Sequence, residues 1–165
     1  MPIFKADGYV ANADTGRTQP LTAKLWVTDT TVTAGQWIAS YPSDTSNPGA
    51  LNGGPEGSFR IADADNTDAL YNTVGVVRSG IVNPSGGGYV EVIIGGYADT
   101  INLVSASATA YADLVISTTA GAAADVGNAA TNGAAYRIIG QCITDGGSNQ
   151  GTGLVNMHPM FVGFV

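Results

Sequence analysis

The sequence has few charged side chains. Asp, Glu, Lys and Arg make up 12% of its 165 residues, which is about half the share found in an average soluble domain. After Arg78 the single Lys or Arg is Arg137, so the second half lacks the basic side chains that commonly protect sheet edges from unwanted pairing. We therefore expect other subunits to cover the edges and apolar faces of this half.

Cysteine and clustered basic residues are also scarce. Cys142 is the one cysteine, which excludes an intrachain disulfide and is compatible with a reducing cytoplasm. The net charge of -7 and the pI near 4.2 predict no nucleic-acid partner, because phosphate binding needs clustered Lys and Arg. No apolar run has the length of a signal-peptide core or a membrane span. We expect a soluble protein that is made without export and has no membrane partner.

Short β-rich segments separated by Gly, Pro, Asn and Ser run through most of the chain. Apolar and polar residues alternate at 23–28, which predicts a strand with Leu25 and Val27 on one face and Trp26 on the other. Evenly spaced short strands with turn signals predict an all-β fold, either a small β-sandwich or a barrel. Further strands are predicted at 31–40, with a break at Gly35, and at 59–61, 74–82, 89–94, 101–104, 113–119, 137–143 and 154–162.

Composition also predicts the organisation of the chain. Residues 1–22 are expected to form an extended N-terminal arm, and residues 23–165 a single β-domain. Within that domain, the Pro/Gly/Asn/Ser-rich stretch 41–58 is predicted to be a long surface loop. Residues 63–72 are the best candidate for a short helix, and the Ala/Gly/Asn-rich stretch 120–135 is expected to be a surface loop or an irregular crossover.

Catalytic motifs are absent from the sequence. There is no G-x-S-x-G elbow, no cysteine pair at zinc spacing, no H-E-x-x-H and no phosphate-binding loop. His158 precedes Pro159, so we interpret it as part of a turn or cap at a terminal strand rather than as a general base or a partner of Cys142. Cys142 lies between apolar neighbours and is interpreted as a small buried hydrophobe. The sequence therefore predicts neither an enzyme nor a cofactor.

The densest cluster of side-chain oxygens comprises Asp63, Asp65 and Asp68. The D-x-D spacing suggests calcium, but the positions that an EF-hand gives to Gly and to the closing Glu hold other residues. A looser calcium site at the three aspartates stays as a weak alternative. The favoured interpretation is that Thr67 or Asp68 caps a helical turn through Tyr71, and no metal site is predicted.

The aromatic residues of the predicted strands offer another interpretation. Aromatic platforms on β-scaffolds can line a sugar-binding surface. Alternation along a strand predicts that half of these residues face the core or a subunit contact instead. The sequence leaves glycan binding open for Trp26, Trp37, Tyr41, Tyr89 and Tyr97.

The segment from Gly75 to Gly140 contains GIVNPSGGGYVEVIIGG, then ATAYADLVISTTAG, a Gly/Ala/Asn-rich stretch and YRIIGQCITDG. This order of stretches resembles small bacteriophage head proteins of the capsid decoration, or cement, kind. Decoration proteins have a G-x-(Y/V)-V-x-V strand, an A-x-A-G-D-x-V-x turn and strand, and an I-G-x-A strand. The sequence departs from this pattern at Ala112, where the family has Gly, and at Cys142, where a small Ala is usual. The matching residues are Glu91, Val92, Asp113, Leu114, Val115, Ile139 and Gly140.

The resemblance implies a head-stabilising structural protein that binds the outer surface of an icosahedral capsid and links neighbouring coat subunits. It implies the major capsid protein as partner, a homotrimer, and a location on the virion after synthesis in the host bacterial cytoplasm. The alternative is an adhesive or glycan-binding β-module of a phage tail or fibre. We expect the capsid and subunit contacts to involve apolar residues of the arm and of the C-terminus, namely Ile3, Phe4, Tyr9, Val10, Met160, Phe161 and Phe164.

Overall fold

The computed structural model describes residues 19–41, 59–65, 72–83, 86–104, 110–126, 136–145 and 149–162. These residues are mostly β-strands, which confirms the all-β prediction. Within these ranges, no helix is long and apolar enough to cross a membrane. The strands are β1 (Leu21–Val27), β2 (Thr31–Val32), β3 (Trp37–Ser40), β4 (Phe59–Ile61), β5 (Thr73–Ser79), β6 (Ile81–Val82), β7 (Gly88–Asn102), β8 (Asp113–Ile116), β9 (Ala123–Asp125), β10 (Tyr136–Asp145) and β11 (Gln150–Val162).

Five strands close into a barrel in the order β1-β4-β3-β5-β7, with β7 returning to pair with β1. The β1–β4 pair is parallel, and the other pairs around this ring are antiparallel. As predicted, the strand region at 31–40 breaks at Gly35, whose positive φ of 89° suits a residue without a Cβ. Leu25 and Val27 pack into the barrel interior while Trp26 pairs with Tyr89 outside, as the alternation predicts.

A second group of strands continues from the far half of β7, beyond Gly96, whose φ is +92°. The order there is β7-β11-β10-β8-β9. A parallel bridge joins Leu103 to Ala123, and the Val104 N–H donates to the Ala123 carbonyl at 2.8 Å. The last strand thus meets the chain that leaves β7 at one position, and we call this second group of strands the second ring. The chain itself therefore contacts the outer edge of β9 at Ala123.

The hydrophobic core lies on both faces of the barrel strands β3, β5 and β7. On β3, Trp37 packs into one cluster with Ile139 of β10, and Ile38 packs into the other with Val92 of β7. Both β3 side chains are fully buried. The Trp37 indole N–H also donates to the Asn102 carbonyl at 3.3 Å. Burial on both faces of one strand joins the barrel and the second ring into one packed body.

Some sequence-based predictions differ from the structure. The stretch 120–135 was expected to be a loop or an irregular crossover, but Ala123–Asp125 forms β9, because small Ala side chains fit the tightly packed core. The rest of that stretch, from residue 127 on, lies outside the described residues. His158 was interpreted as part of a turn or cap, but it lies inside β11. Ile138 pairs with Met160 and Gly140 pairs with Val155, so residues 156–159 of β11 lie opposite the single residue 139 of β10. This bulge accommodates Pro159, which has no N–H to donate to the ladder.

Other predicted segments are only partly described. Strand β1 begins at Leu21 and pairs with β7 from that residue, two residues inside the stretch expected to be an arm. The rest of the predicted arm up to residue 18, the predicted loop over 42–58 and the centre of the predicted helix at 66–71 lie outside the described residues.

Candidate functional site

A cavity of about 360 Å³ opens where the end of the barrel meets the second ring. Gly121 positions the segment between β8 and β9 against it: its φ is +73°, its N–H donates to the Ala62 carbonyl at 2.7 Å, and its carbonyl accepts from the Trp37 N–H at 3.0 Å. The lining combines carboxylates, a guanidinium and a phenol. It consists of Asp29, Tyr41, Arg60, Ile61, Asp63, Asp65 and Ala120.

Tyr41, directly after β3, bridges two backbone groups of the next segment. Its hydroxyl donates to the Ile61 carbonyl at 2.8 Å and accepts from the Asp63 N–H at 2.9 Å. Burial raises the pKa of Tyr41 to about 12, although the Asp63 N–H and the nearby Arg60 charge act in the opposite direction. The Arg60 guanidinium lies 5.1 Å from the centre of the Tyr41 ring. At neutral pH the hydroxyl is therefore protonated, and it holds β4 and the turn after it.

The carboxylates of the cavity also bind backbone. Asp29, which follows β1, accepts the Ile61 N–H through Oδ2 at 2.7 Å. Asp63 accepts the Asp65 N–H through Oδ1 at 3.0 Å, which closes a tight turn after β4. The side chains of Asp29, Tyr41 and Asp63 thus fix the path of the chain through Ile61 and Asp65. Such bonds shape the cavity and occupy one oxygen of each of the Asp29 and Asp63 carboxylates.

The cavity brings together two of the three aspartates considered for calcium. Asp63 and Asp65 line it, whereas Asp68 lies outside the described residues. In the described ranges, no group of three or more His, Cys, Asp or Glu side chains is arranged to hold a metal ion. Asp29 joins the cavity from a distant part of the sequence. No local spacing in the sequence signals that residue.

His158 and Cys142 do not come together in the ladder. Cys142 lies on β10, is fully buried in the core cluster of the second ring and pairs with Gly153 of β11. Its interpretation as a small buried hydrophobe is confirmed. His158 lies five residues further along β11 than Gly153.

Met160 and Phe161, two of the expected contact residues, lie on β11 and pair with Ile138 and Arg137 of β10. This pairing continues to Val162. In the same direction along the strands, the β10–β8 ladder ends at residue 140 of β10, and the β11–β7 ladder ends at residue 155 of β11. The end of the β10–β11 pair is therefore held by a ladder rather than left as a frayed tail. The other expected contacts, namely Ile3, Phe4, Tyr9, Val10 and Phe164, lie outside the described residues.

The described surface carries several large exposed hydrophobic side chains. Tyr89 lies on the outside of the barrel, with its ring 5.1 Å from that of Trp26 at an interplanar angle of 84°. Tyr111 has a positive φ of 68°, which is uncommon for a residue other than glycine. Strand alternation could have indicated the exposure of Tyr89, but no sequence signal indicated that of Tyr111. The exposed set is Val82, Tyr89, Tyr111 and Leu154.

No protein family model matches this chain, and neither the curated proteins nor the solved structures include a significant match.

Proposed function

We propose that this chain is a non-enzymatic structural protein that attaches to the outer surface of an icosahedral phage capsid and links neighbouring coat subunits. The resemblance to capsid decoration proteins spans Gly75 to Gly140, which in this fold runs from β5 to β10. That segment contributes strands to both rings. The likeness therefore concerns the central part of the packed body rather than a peripheral loop.

The observation that carries this proposal is the structural use of the polar groups in the described cavity. Tyr41, Asp29 and Asp63 each bind backbone groups at 2.7–3.0 Å. A proton-transfer site needs an acid or base that can reach a substrate and whose pKa lies near the working pH. The pKa of Tyr41, near 12, is far from that range. The arrangement favours a rigid scaffold that presents surfaces to partners.

The proposed capsid and subunit contacts are the apolar arm and the end of β11. Met160 and Phe161 are held in the β10–β11 ladder, so a partner that contacts them would not have to order that strand first. We propose a homotrimer, because a closed cyclic oligomer suits a capsid site of the same symmetry. The partner is the major capsid protein, and the protein is located on the outside of the virion.

Cosedimentation with empty phage heads tests this function. The wild-type chain is expected to pellet with heads and to stay in solution without them. Phe161→Asp is expected to reduce occupancy sharply, because it places a charge in an apolar contact. Leu154→Asp, on the same strand but at an exposed position, is the matched control and is expected to keep occupancy. Wild-type protein that never pellets with heads would refute the proposal.

The second candidate function is an adhesive or glycan-binding module of a phage tail or fibre. The exposed Tyr89 beside Trp26 favours it, because exposed aromatic rings commonly form sugar-stacking platforms. Mass spectrometry of separated heads and tails distinguishes the two candidates. The chain is expected in the head fraction if it decorates the capsid, and in the tail fraction if the alternative is correct.

A further inference from the structure

The outer surface of the barrel where β1 pairs with β7 carries a mixed aromatic and charged set of side chains. Trp26 lies directly opposite Tyr89, and Lys24 directly opposite Glu91. Arg78 of the neighbouring strand β5 reaches Glu91 with an Nη1–Oε1 distance of 3.1 Å. The intervening residues of β1 and β7 pack into the barrel interior, so these five side chains share the outer face. We call this set the β1–β7 face.

The aromatic part of this face is held in place and yet accessible. Tyr89 is 59% exposed, and its ring meets that of Trp26 edge to face. Such a contact orients the phenol ring without covering it. A fixed, solvent-facing ring of this kind can stack against the C–H face of a sugar ring.

The charged part is locally positive on a chain that is acidic as a whole. Two of the six Lys and Arg residues lie here with one carboxylate, while the chain has a net charge of -7. The Arg78–Glu91 pair is exposed, with 56% and 34% of the two side chains accessible, and exposed pairs of this kind are weak. Arg78 can therefore exchange Glu91 for an anionic group of a ligand, and the exposed Lys24 provides a second cation.

From this combination we infer that the β1–β7 face binds an anionic polysaccharide. Tyr89 stacks on a sugar ring, while Arg78 and Lys24 donate charge-assisted hydrogen bonds to the carboxylates of uronate units. Two cations are too few to neutralise the many phosphates that a nucleic acid presents, and the overall acidity of the chain also opposes nucleic-acid binding. This binding site is additional to the proposed attachment to capsids.

Calorimetric titration of the full-length chain tests the inference with three probes: a linear hexagalacturonate, the neutral maltohexaose and a dT12 oligonucleotide. At low salt, hexagalacturonate is expected to bind at least about tenfold more tightly than either of the others. Raising the ionic strength above about 0.3 M should weaken its binding severalfold, because salt screens exposed charges. Absence of hexagalacturonate binding at about 1 mM, a concentration that detects even weak complexes, would overturn the inference. Equal binding of maltohexaose or tighter binding of dT12 would also overturn it.

Variants locate the site. Tyr89→Ala and the double variant Lys24→Gln with Arg78→Gln are each expected to weaken hexagalacturonate binding about tenfold, the loss of one strong contact. Tyr111→Ala, which removes another exposed tyrosine just before β8, is the matched control and should change binding less than about twofold. Thermal unfolding verifies that each variant is folded. Loss of binding in Tyr111→Ala, or full binding in Tyr89→Ala, would refute the assigned location.

Head cosedimentation separates this inference from the proposed function. Tyr89→Ala is expected to occupy heads like the wild-type chain, because the proposed coat contacts lie elsewhere. Loss of head occupancy in this variant would show that the face contacts the coat protein, which would overturn the polysaccharide assignment. Failure of the wild-type chain to bind heads would leave the polysaccharide result unaffected.

Discussion

Removing the Tyr41 hydroxyl provides a quantitative test of how the cavity is built. In Tyr41→Phe the Ile61 carbonyl loses its donor and the Asp63 N–H its acceptor. A part-buried polar group without a partner costs about 1–3 kcal/mol. Because Tyr41 is only half-buried, water can replace part of the lost bonding. We expect a loss of about 1.5 kcal/mol in the free energy of unfolding at pH 8.

The same substitution carries a pH signature. Burial raises the pKa of Tyr41 from 10.0 to about 12, so folding favours the neutral phenol. The contribution of the neutral Tyr41 phenol to the free energy of unfolding is complete below pH 10 and is lost as the pH rises from 10 through 12. A shift of this size corresponds to at most about 2.7 kcal/mol, and solvent screening at a half-buried site reduces it to about 1 kcal/mol. Phenylalanine does not ionise, so the advantage of Tyr41 over Phe should shrink by about that amount by pH 12.

Urea unfolding followed by tryptophan fluorescence, at several pH values between 8 and 11.5, measures this difference. All groups other than residue 41 are the same in both proteins, so their effects cancel in the comparison. Tyr111→Phe, which changes an exposed residue, is the control and is expected to differ from wild type by less than about 0.5 kcal/mol. If Tyr41→Phe is as stable as wild type at pH 8, the two hydroxyl bonds do not hold the turn. If the difference stays constant up to pH 11.5, the reasoning about ionisation is wrong.

Further predictions concern the core and the proposed contacts. Trp37→Ala should lower the free energy of unfolding by about 3–5 kcal/mol, because Trp37 is fully buried. The barrel and the second ring should still unfold together at a lower urea midpoint, and separate transitions would contradict the shared core. Gly140→Ala should lower the free energy of unfolding by about 1–3 kcal/mol in the same assay, because a Cβ there would meet the Leu154 carbonyl oxygen and the Trp37 ring. Unchanged stability would mean that the backbone shifts freely. His158→Ala should leave head cosedimentation intact, whereas Phe161→Asp should abolish most of it; the reverse ranking would assign function to the imidazole.

Several parts of the fold could be predicted from local patterns. The period-two alternation at 23–28 places Trp26 outside and Val27 inside, and the structure confirms both. Gly35 marks the break between β2 and β3, because few other residues adopt its positive φ. The apolar surroundings of Cys142 indicated its burial. Each of these features depends on neighbours within a few residues.

Other parts could not be predicted, because their signals are weak or lie far apart in the sequence. The short strand Ala123–Asp125 has small side chains and no alternation, so its composition is that of a loop. Residues 101–102, predicted to begin a separate strand, are the end of the 15-residue β7. The cavity combines Asp29 with Tyr41 and Asp63, which no spacing motif connects. The expected contacts of the arm and of Phe164 stay predictions.

The sequence by itself determined that this protein is built from strands, because alternation and turn residues act over a few positions and are visible in any single segment. It also determined the low charge and the acidity that shape its surface. Only the tertiary structure decided that β7 is shared by two rings and that Leu103 and Val104 meet β9. Strand partners depend on hydrogen bonds and packing between residues far apart in the chain, and the period of two is the same whichever partner a strand finds.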